Sequence, residues 1–140
     1  MTLSEYQRYI DRFNDRDATA FDDYLADDVK VTNGGLYYEG VAGMKAHYAK
    51  IWRSFVETLH VERYVGDGDS AAVDMWTHFV AERDDDDTPF GAVRKGDQFD
   101  YRGIVMYRIR DGKFTDIKVA YNSFIATRAD GQVTSMGIPH

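Results

Sequence analysis

The chain has 140 residues, no cysteine, and 17 basic against 24 acidic residues, for a formal net charge of −7. That length suits one domain with a real hydrophobic core, expected to run over 1–140. The missing cysteines remove disulfides, thiolate catalysis and zinc–thiolate sites, and the acidic balance disfavours nucleic-acid and anionic-membrane partners, which need a basic face.

Leu3, Tyr6, Ile10 and Phe13 recur at helical spacing, with Thr2 or Ser4 placed to cap, and Asn14-Asp15-Arg16-Asp17 ends this first helix. Phe21, Tyr24 and Leu25 mark a short second helix. Val29-Lys30-Val31-Thr32 alternates as a strand and stops at the turn signal Asn33-Gly34-Gly35. Val41, Met44, Tyr48, Ile51 and Phe55 return to helical spacing and predict a third helix over about 41–54. His47 lies beside that stripe, at the surface or a rim. Thr58 to Val65 alternates, Gly66-Asp67-Gly68-Asp69 is a hairpin turn, and Ser70 to Arg83 is the returning strand. Asp84-Asp85-Asp86-Asp87-Thr88-Pro89 reads as a solvated acidic loop, since four consecutive like charges face water rather than one ion. Phe99 to Arg110 is a long strand with a bulge marked by Gly103. Asp111-Gly112 is the tightest hairpin signal, Lys113 to Phe124 returns, and 126–140 is a tail.

Helices followed by an antiparallel meander indicate an α+β domain with helices on one sheet face. The expected shape is a cone: a strongly curved, mixed but mostly antiparallel sheet, with three N-terminal helices enclosing a pocket. Alternation is read with Thr58, His60, Glu62 and Tyr64 facing that pocket. Leu59, Val61 and Val65 then form an apolar outer stripe, which a homodimer or higher homo-oligomer is expected to cover. No apolar run approaches the roughly 20 residues that span a bilayer. Met1 to Tyr6 lacks a signal-peptide pattern, so a cytoplasmic location is expected.

Ten tyrosines, eight phenylalanines and two tryptophans stand in the chain. A phenol offers a π-face and a hydrogen-bonding tip, which suits flat hydroxylated ligands; a tyrosine-rich core and interface is the bland alternative. Histidine can move a proton near neutrality without help, and no dense metal-ligand spacing is present, so neither cofactor nor metal is expected. His60 is therefore the expected acid/base, against a structural histidine. Asp100 is the candidate to orient it, and Arg102, on the same face, binds a phenolate or carboxylate or pairs with Asp100. Tyr9 borders the first helix's stripe as a pocket donor or a packed ring. Trp76 and His78 share one strand face with Asp74; Met75, Thr77 and Phe79 share the other, and alternation does not decide between them. Tyr37, Tyr38 and Tyr121 are candidates for stacking on an aromatic ligand.

Two segments carry a family resemblance over about residues 5–125. Phe21-Asp22-Asp23-Tyr24-Leu25-Ala26-Asp27-Asp28-Val29 and Arg102-Gly103-Ile104-Val105-Met106-Tyr107-Arg108-Ile109-Arg110-Asp111-Gly112-Lys113-Phe114 resemble the nuclear-transport-factor-2-like superfamily, in particular its SnoaL-like and scytalone-dehydratase-like enzymes. The fold is shared by isomerases, dehydratases, cyclases, lyases and non-catalytic domains, so the site must decide the reaction. Thr58-Leu59-His60 resembles the strand start that holds the catalytic histidine of scytalone dehydratase and the hexachlorocyclohexane dehydrochlorinase. By the same resemblance Asp100 falls at a second catalytic histidine, and Tyr9 at the oxyanion-binding tyrosine of ketosteroid isomerase. Three positions depart: Asn14 replaces the aspartate supporting the elimination histidine, Asn33 the isomerase base, and Asn122 the SnoaL-type acid. The resemblance thus implies a cofactor-independent lyase or dehydratase of a small hydroxylated aromatic substrate, with a lignin-type dimer as the specific expectation. A polyketide or terpenoid cyclase or isomerase is the alternative, and a non-catalytic ligand-binding or association domain the other.

Overall fold

A computed structural model of the chain describes residues 1–137. Helix α1 (Leu3–Asn14) starts at a capping box: Thr2 Oγ1 accepts from the Glu5 amide, while Glu5 accepts from the Thr2 amide. Its buried stripe is Tyr6, Tyr9, Ile10 and Phe13, and Leu3 is exposed. Helix α2 (Thr19–Tyr24) leads into β1 (Leu25–Asn33). Gly34 (φ 58°) turns the chain into β2 (Leu36–Glu39), so Asn33-Gly34-Gly35 closes a hairpin rather than ending a lone strand. Helix α3 (Gly40–Ser54) follows.

The remaining strands are β3 (Phe55–Gly66), β4 (Ser70–Ala81), β5 (Asp85–Thr88), β6 (Gly91–Val93), β7 (Gln98–Arg110), β8 (Lys113–Thr127) and β9 (Val133–Ser135). The main sheet runs β2-β1-β8-β7-β4-β3, with β9 added to β8. The β1–β8 pair is parallel and the other pairs are antiparallel. This is the expected cone-like α+β fold, three helices against a mixed, mostly antiparallel sheet. Part of the expected tail therefore forms β9, and 138–140 lie outside the described residues. At Asp111-Gly112 both φ angles are positive (53° and 74°), as a two-residue primed hairpin turn demands.

The acidic stretch 84–89 is not a free loop. Ser54 Oγ donates to Asp85 (2.5 Å), Arg94 pairs with Asp86 (2.9 Å), and Asp84 accepts from the Lys95 amide (2.9 Å). With Asp84, Asp85 and Asp86 each held by a different partner and Asp87 left to solvent, the stretch forms the β5–β6 hairpin, which drops Phe90 among Phe55, Phe79 and Phe99.

Two bulges decide which side chains face inward. In β3, Val61 pairs with Met75 and Arg63 with Asp74, leaving Glu62 as the extra residue. In β7–β8, Arg102 pairs with Ser123 and Gly103 with Tyr121, so the extra residue is Asn122 on β8 rather than Gly103 itself. Gly103 is required there for close approach: a Cβ would lie 2.3 Å from the Tyr121 Cα. Before its bulge, β3 turns Phe55, Glu57, Leu59 and Val61 inward and Val56, Thr58 and His60 outward. That reverses the expected parity: Leu59 and Val61 belong to the core side, and only Tyr64, beyond the bulge, faces inward as expected. Among the described residues no helix is long and apolar enough to cross a membrane.

Candidate active site

Between the helices and the inner sheet face lies a cavity of about 140 Å³. Both buried clusters contribute to its wall: Phe13, Met44, Met75 and Val105 from one, Ile51 and Phe79 from the other. An apolar cavity of about 150 Å³ holds a benzene ring, so this one takes about one ring. The polar wall is Tyr9, Asn33, Tyr38, His47, Tyr48, Glu57, Thr77, Tyr101 and Tyr107.

Glu57 is the chemically unusual member. It is 5% exposed, Oε2 has no hydrogen-bond partner, and no cation pairs with it among the described residues. Taking an ionised carboxyl out of water costs several kcal/mol unless a partner compensates. Desolvation alone raises its pKa from 4.5 to about 8. The side chain is placed by β3 alternation inward from Phe55, and by Asn14, whose amide clamps the Leu59 backbone from α1 through both Oδ1 (2.8 Å) and Nδ2 (3.0 Å).

Around it stands a ring of phenols. Burial pushes Tyr9, Tyr38, Tyr48 and Tyr101 above the ordinary phenol value, and the Glu57 charge adds to the rise of each. They therefore stay protonated donors. Tyr38 gives its hydroxyl to Met44 (3.2 Å). Its ring stacks on His47 at 5.0 Å, and Tyr48 meets the other ring contact of that imidazole edge-on at 4.9 Å. Burial and then Lys50 lower the His47 pKa, which keeps the imidazole neutral. His47 is thus a cavity residue, consistent with the rim expected of it. Among the described residues no three His, Asp or Glu side chains come together as a metal site.

Of the candidate site residues singled out from the sequence, Tyr9, Asn33 and Tyr38 line the cavity. His60, Trp76, His78, Asp100 and Arg102 are brought together, but on the opposite face of the sheet. His60 stacks on Trp76 (4.3 Å between ring centres), and the Arg102 guanidinium lies 4.6 Å from the same indole. Asp100 accepts from Trp76 Nε1 (2.7 Å) and bonds His78 Nδ1 (2.7 Å), so it orients His78 rather than His60. None of the five touches the cavity, because each is at an outward position of β3, β4 or β7. Asn14 is a backbone clamp outside the cavity wall. Tyr37 is exposed and donates to Glu39. Tyr121 stacks flat on Tyr101 at 4.7 Å without lining the cavity, and Asn122 is exposed at its bulge. Glu57, Tyr48, Thr77, Tyr101 and Tyr107 went unselected. A signal for Glu57 was present: Phe55 ends the apolar stripe of the third helix, so alternation counted inward from Phe55 reaches Glu57.

A family model described as the SnoaL-like domain matches residues 6–117. Among solved structures, a proposed polyketide cyclase from Xanthomonas campestris pv. campestris is 25% identical, with a TM-score of 0.72 over 85% of this chain and 88% of that one. A second proposed polyketide cyclase, from Pseudomonas putida, is 27% identical, with a TM-score of 0.68 over 84% and 89%. An epoxide hydrolase from M. tuberculosis shares the fold at 12% identity, with a TM-score of 0.68 over 86% and 81%. No curated protein matches. With the family pattern running through most of its length and its neighbours' fold around the cavity, the chain belongs to the SnoaL-like domain family, within the nuclear-transport-factor-2-like superfamily.

Proposed function

We propose that this chain is a cofactor-independent acid/base enzyme acting on a neutral, oxygen-bearing ring compound, with Glu57 as the proton carrier. The observation that carries this reading is an unpartnered carboxyl sunk in an aromatic cavity. Among the described residues the wall contains no lysine or arginine, which favours a neutral substrate over a carboxylate or phosphate. At pH 7 a carboxyl with a pKa of about 8 is ionised in only about a tenth of molecules. It therefore meets the substrate as an acid. Glu57 gives its proton to a hydroxyl, the C–O bond breaks and water leaves. The carboxylate then takes the proton of the neighbouring carbon as a double bond forms, which restores the acid. This is a dehydratase-type lyase step. The cavity takes one ring, so a two-ring lignin-type dimer would keep its second ring outside.

A cyclase or isomerase is the second reading, favoured by the two proposed polyketide cyclases at 25% and 27% identity. It uses the ionised form of Glu57 to remove a C–H proton, with tyrosine hydroxyls holding the enolate oxygen. The two readings give opposite pH profiles. Assayed on one-ring benzylic alcohols and cyclic ketones, an acid role loses kcat/KM as pH rises through about 8, whereas a base role gains it. A profile with no break near 8 would remove Glu57 from both.

The outward face of β3, β4 and β7 carries exposed Val56, Val65, Ile104 and Met106 around Trp76. We propose that a second copy of the chain covers it. Light scattering at micromolar concentration should report twice the 16.0 kDa chain mass, and the single mass would count against it.

A further inference from the structure

Tyr6 and Tyr107 are buried side chains joined by a hydrogen bond, their Oη atoms 2.7 Å apart. Each phenol has one proton to give. Two phenols sharing one bond therefore keep one proton unspent. Tyr6, on α1, is 0% exposed, does not line the cavity, and makes no second hydrogen bond among the described residues. Were Tyr107 the donor, the Tyr6 proton would be stranded in the core without an acceptor, an arrangement that folded proteins avoid. With Tyr6 donating, the unspent proton belongs to Tyr107, on the cavity wall. Desolvation raises both phenols; their bond raises Tyr6, the giver, further and lowers Tyr107, the receiver.

We propose that Tyr107 is the fixed hydrogen-bond donor of the cavity, aimed and strengthened by Tyr6 behind it, and that it takes the carbonyl or hydroxyl oxygen of the substrate. This rests on reading the cavity as the substrate site. A phenol that accepts a hydrogen bond is polarised and gives its own proton more strongly. The Tyr107 ring is also caged, with Tyr6 at 5.4 Å and Phe114 at 4.5 Å between ring centres. Such a donor is in place before charge develops on the substrate oxygen, which is what makes it effective. Tyr9 lines the same cavity but has no phenol hydrogen-bonded behind it among the described residues. Tyr6 touches no substrate; it is a positioning residue.

The test uses acetophenone, a one-ring ketone that accepts hydrogen bonds and donates none. Its carbonyl stretch falls in frequency when a hydroxyl donates to it. Wild type should bind it saturably with a lowered stretch. Tyr107→Phe should bind it about 3–10-fold more weakly and return the stretch most of the way to its value in an apolar solvent. Tyr6→Phe should weaken binding about 2–3-fold and reverse part of the change. In the Tyr107→Phe background, Tyr6→Phe should add nothing to either reading, because it acts through Tyr107. Should Tyr107→Phe fail to fold, Tyr6→Phe decides by itself: its stretch must move. A stretch untouched by either substitution, a Tyr6 effect that persists without the Tyr107 hydroxyl, or no saturable binding to wild type would each overturn the proposal. Turnover of Glu57→Gln tests the acid/base reading separately, so either can fail while the other stands.

Discussion

Glu57→Gln should lower turnover by about 10²–10⁴-fold, the range expected when a general acid/base is lost. The amide keeps the size and the cavity wall, so circular dichroism and ring-compound binding should stay near those of the wild type. The split between binding and turnover is the informative part. A packing role would disturb both together, whereas a proton carrier is missed only in the chemical step. By contrast, His60→Ala should leave turnover within about 2-fold, because His60 lies on the outer sheet face, stacked on Trp76. Full activity in Glu57→Gln with a large loss in His60→Ala would reverse the assignment and return the chemistry to the outer face.

The second large effect is on stability. Glu57 is bound to its proton more tightly in the folded chain, near pH 8, than at its ordinary value of 4.5. Between those limits the native state holds more protons than the unfolded state, so stability falls as pH rises. The contribution is fully present below about pH 4.5, declines by about 1.4 kcal/mol per pH unit, and is gone above about 8. The whole displacement is worth about 5 kcal/mol, a large share of the stability of an ordinary domain. Gln cannot ionise, so the difference between Glu57→Gln and wild type isolates this group from every other titration. Urea unfolding across pH 5–9 should show the variant gaining on wild type by about 4 kcal/mol towards the alkaline end. Parallel curves would mean that Glu57 is solvated or paired in solution.

Much of the architecture was legible because its signals are local. The stripes of α1 and α3, the order of helices before strands and the Asp111-Gly112 turn each report on a few neighbouring residues, and all appear where periodicity put them. The errors arose where a local signal had two readings. Four aspartates in a row read as a solvated loop; three of them are indeed exposed, but Ser54, Arg94 and the Lys95 amide hold Asp85, Asp86 and Asp84, and the stretch pairs as a hairpin instead. Strand alternation defines two faces of β3 but does not say which is inside. The choice followed the chemistry of His60 and the resemblance at Thr58-Leu59-His60, while Phe55 pointed the other way. Asp100 and Arg102 share a face with His60, Trp76 and His78 in register across β3, β4 and β7, but that face is the outer one, and Asp100 holds His78 and Trp76 rather than His60. Glu57 carries no motif. Its reactivity comes from what surrounds it, and a buried carboxyl cannot be told from an exposed one until the tertiary wall of tyrosines is assembled.

The measurement that bears most directly on this account is the titration of the Glu57 carboxyl itself, followed by carbon-13 NMR in protein labelled at glutamate and assigned with Glu57→Gln. A resonance that titrates near pH 8, absent from the variant, is the expected result. A Glu57 resonance that titrates near 4.5, among the other glutamates, would show a carboxylate already ionised at neutrality and would contradict the proton-carrying role built on its burial.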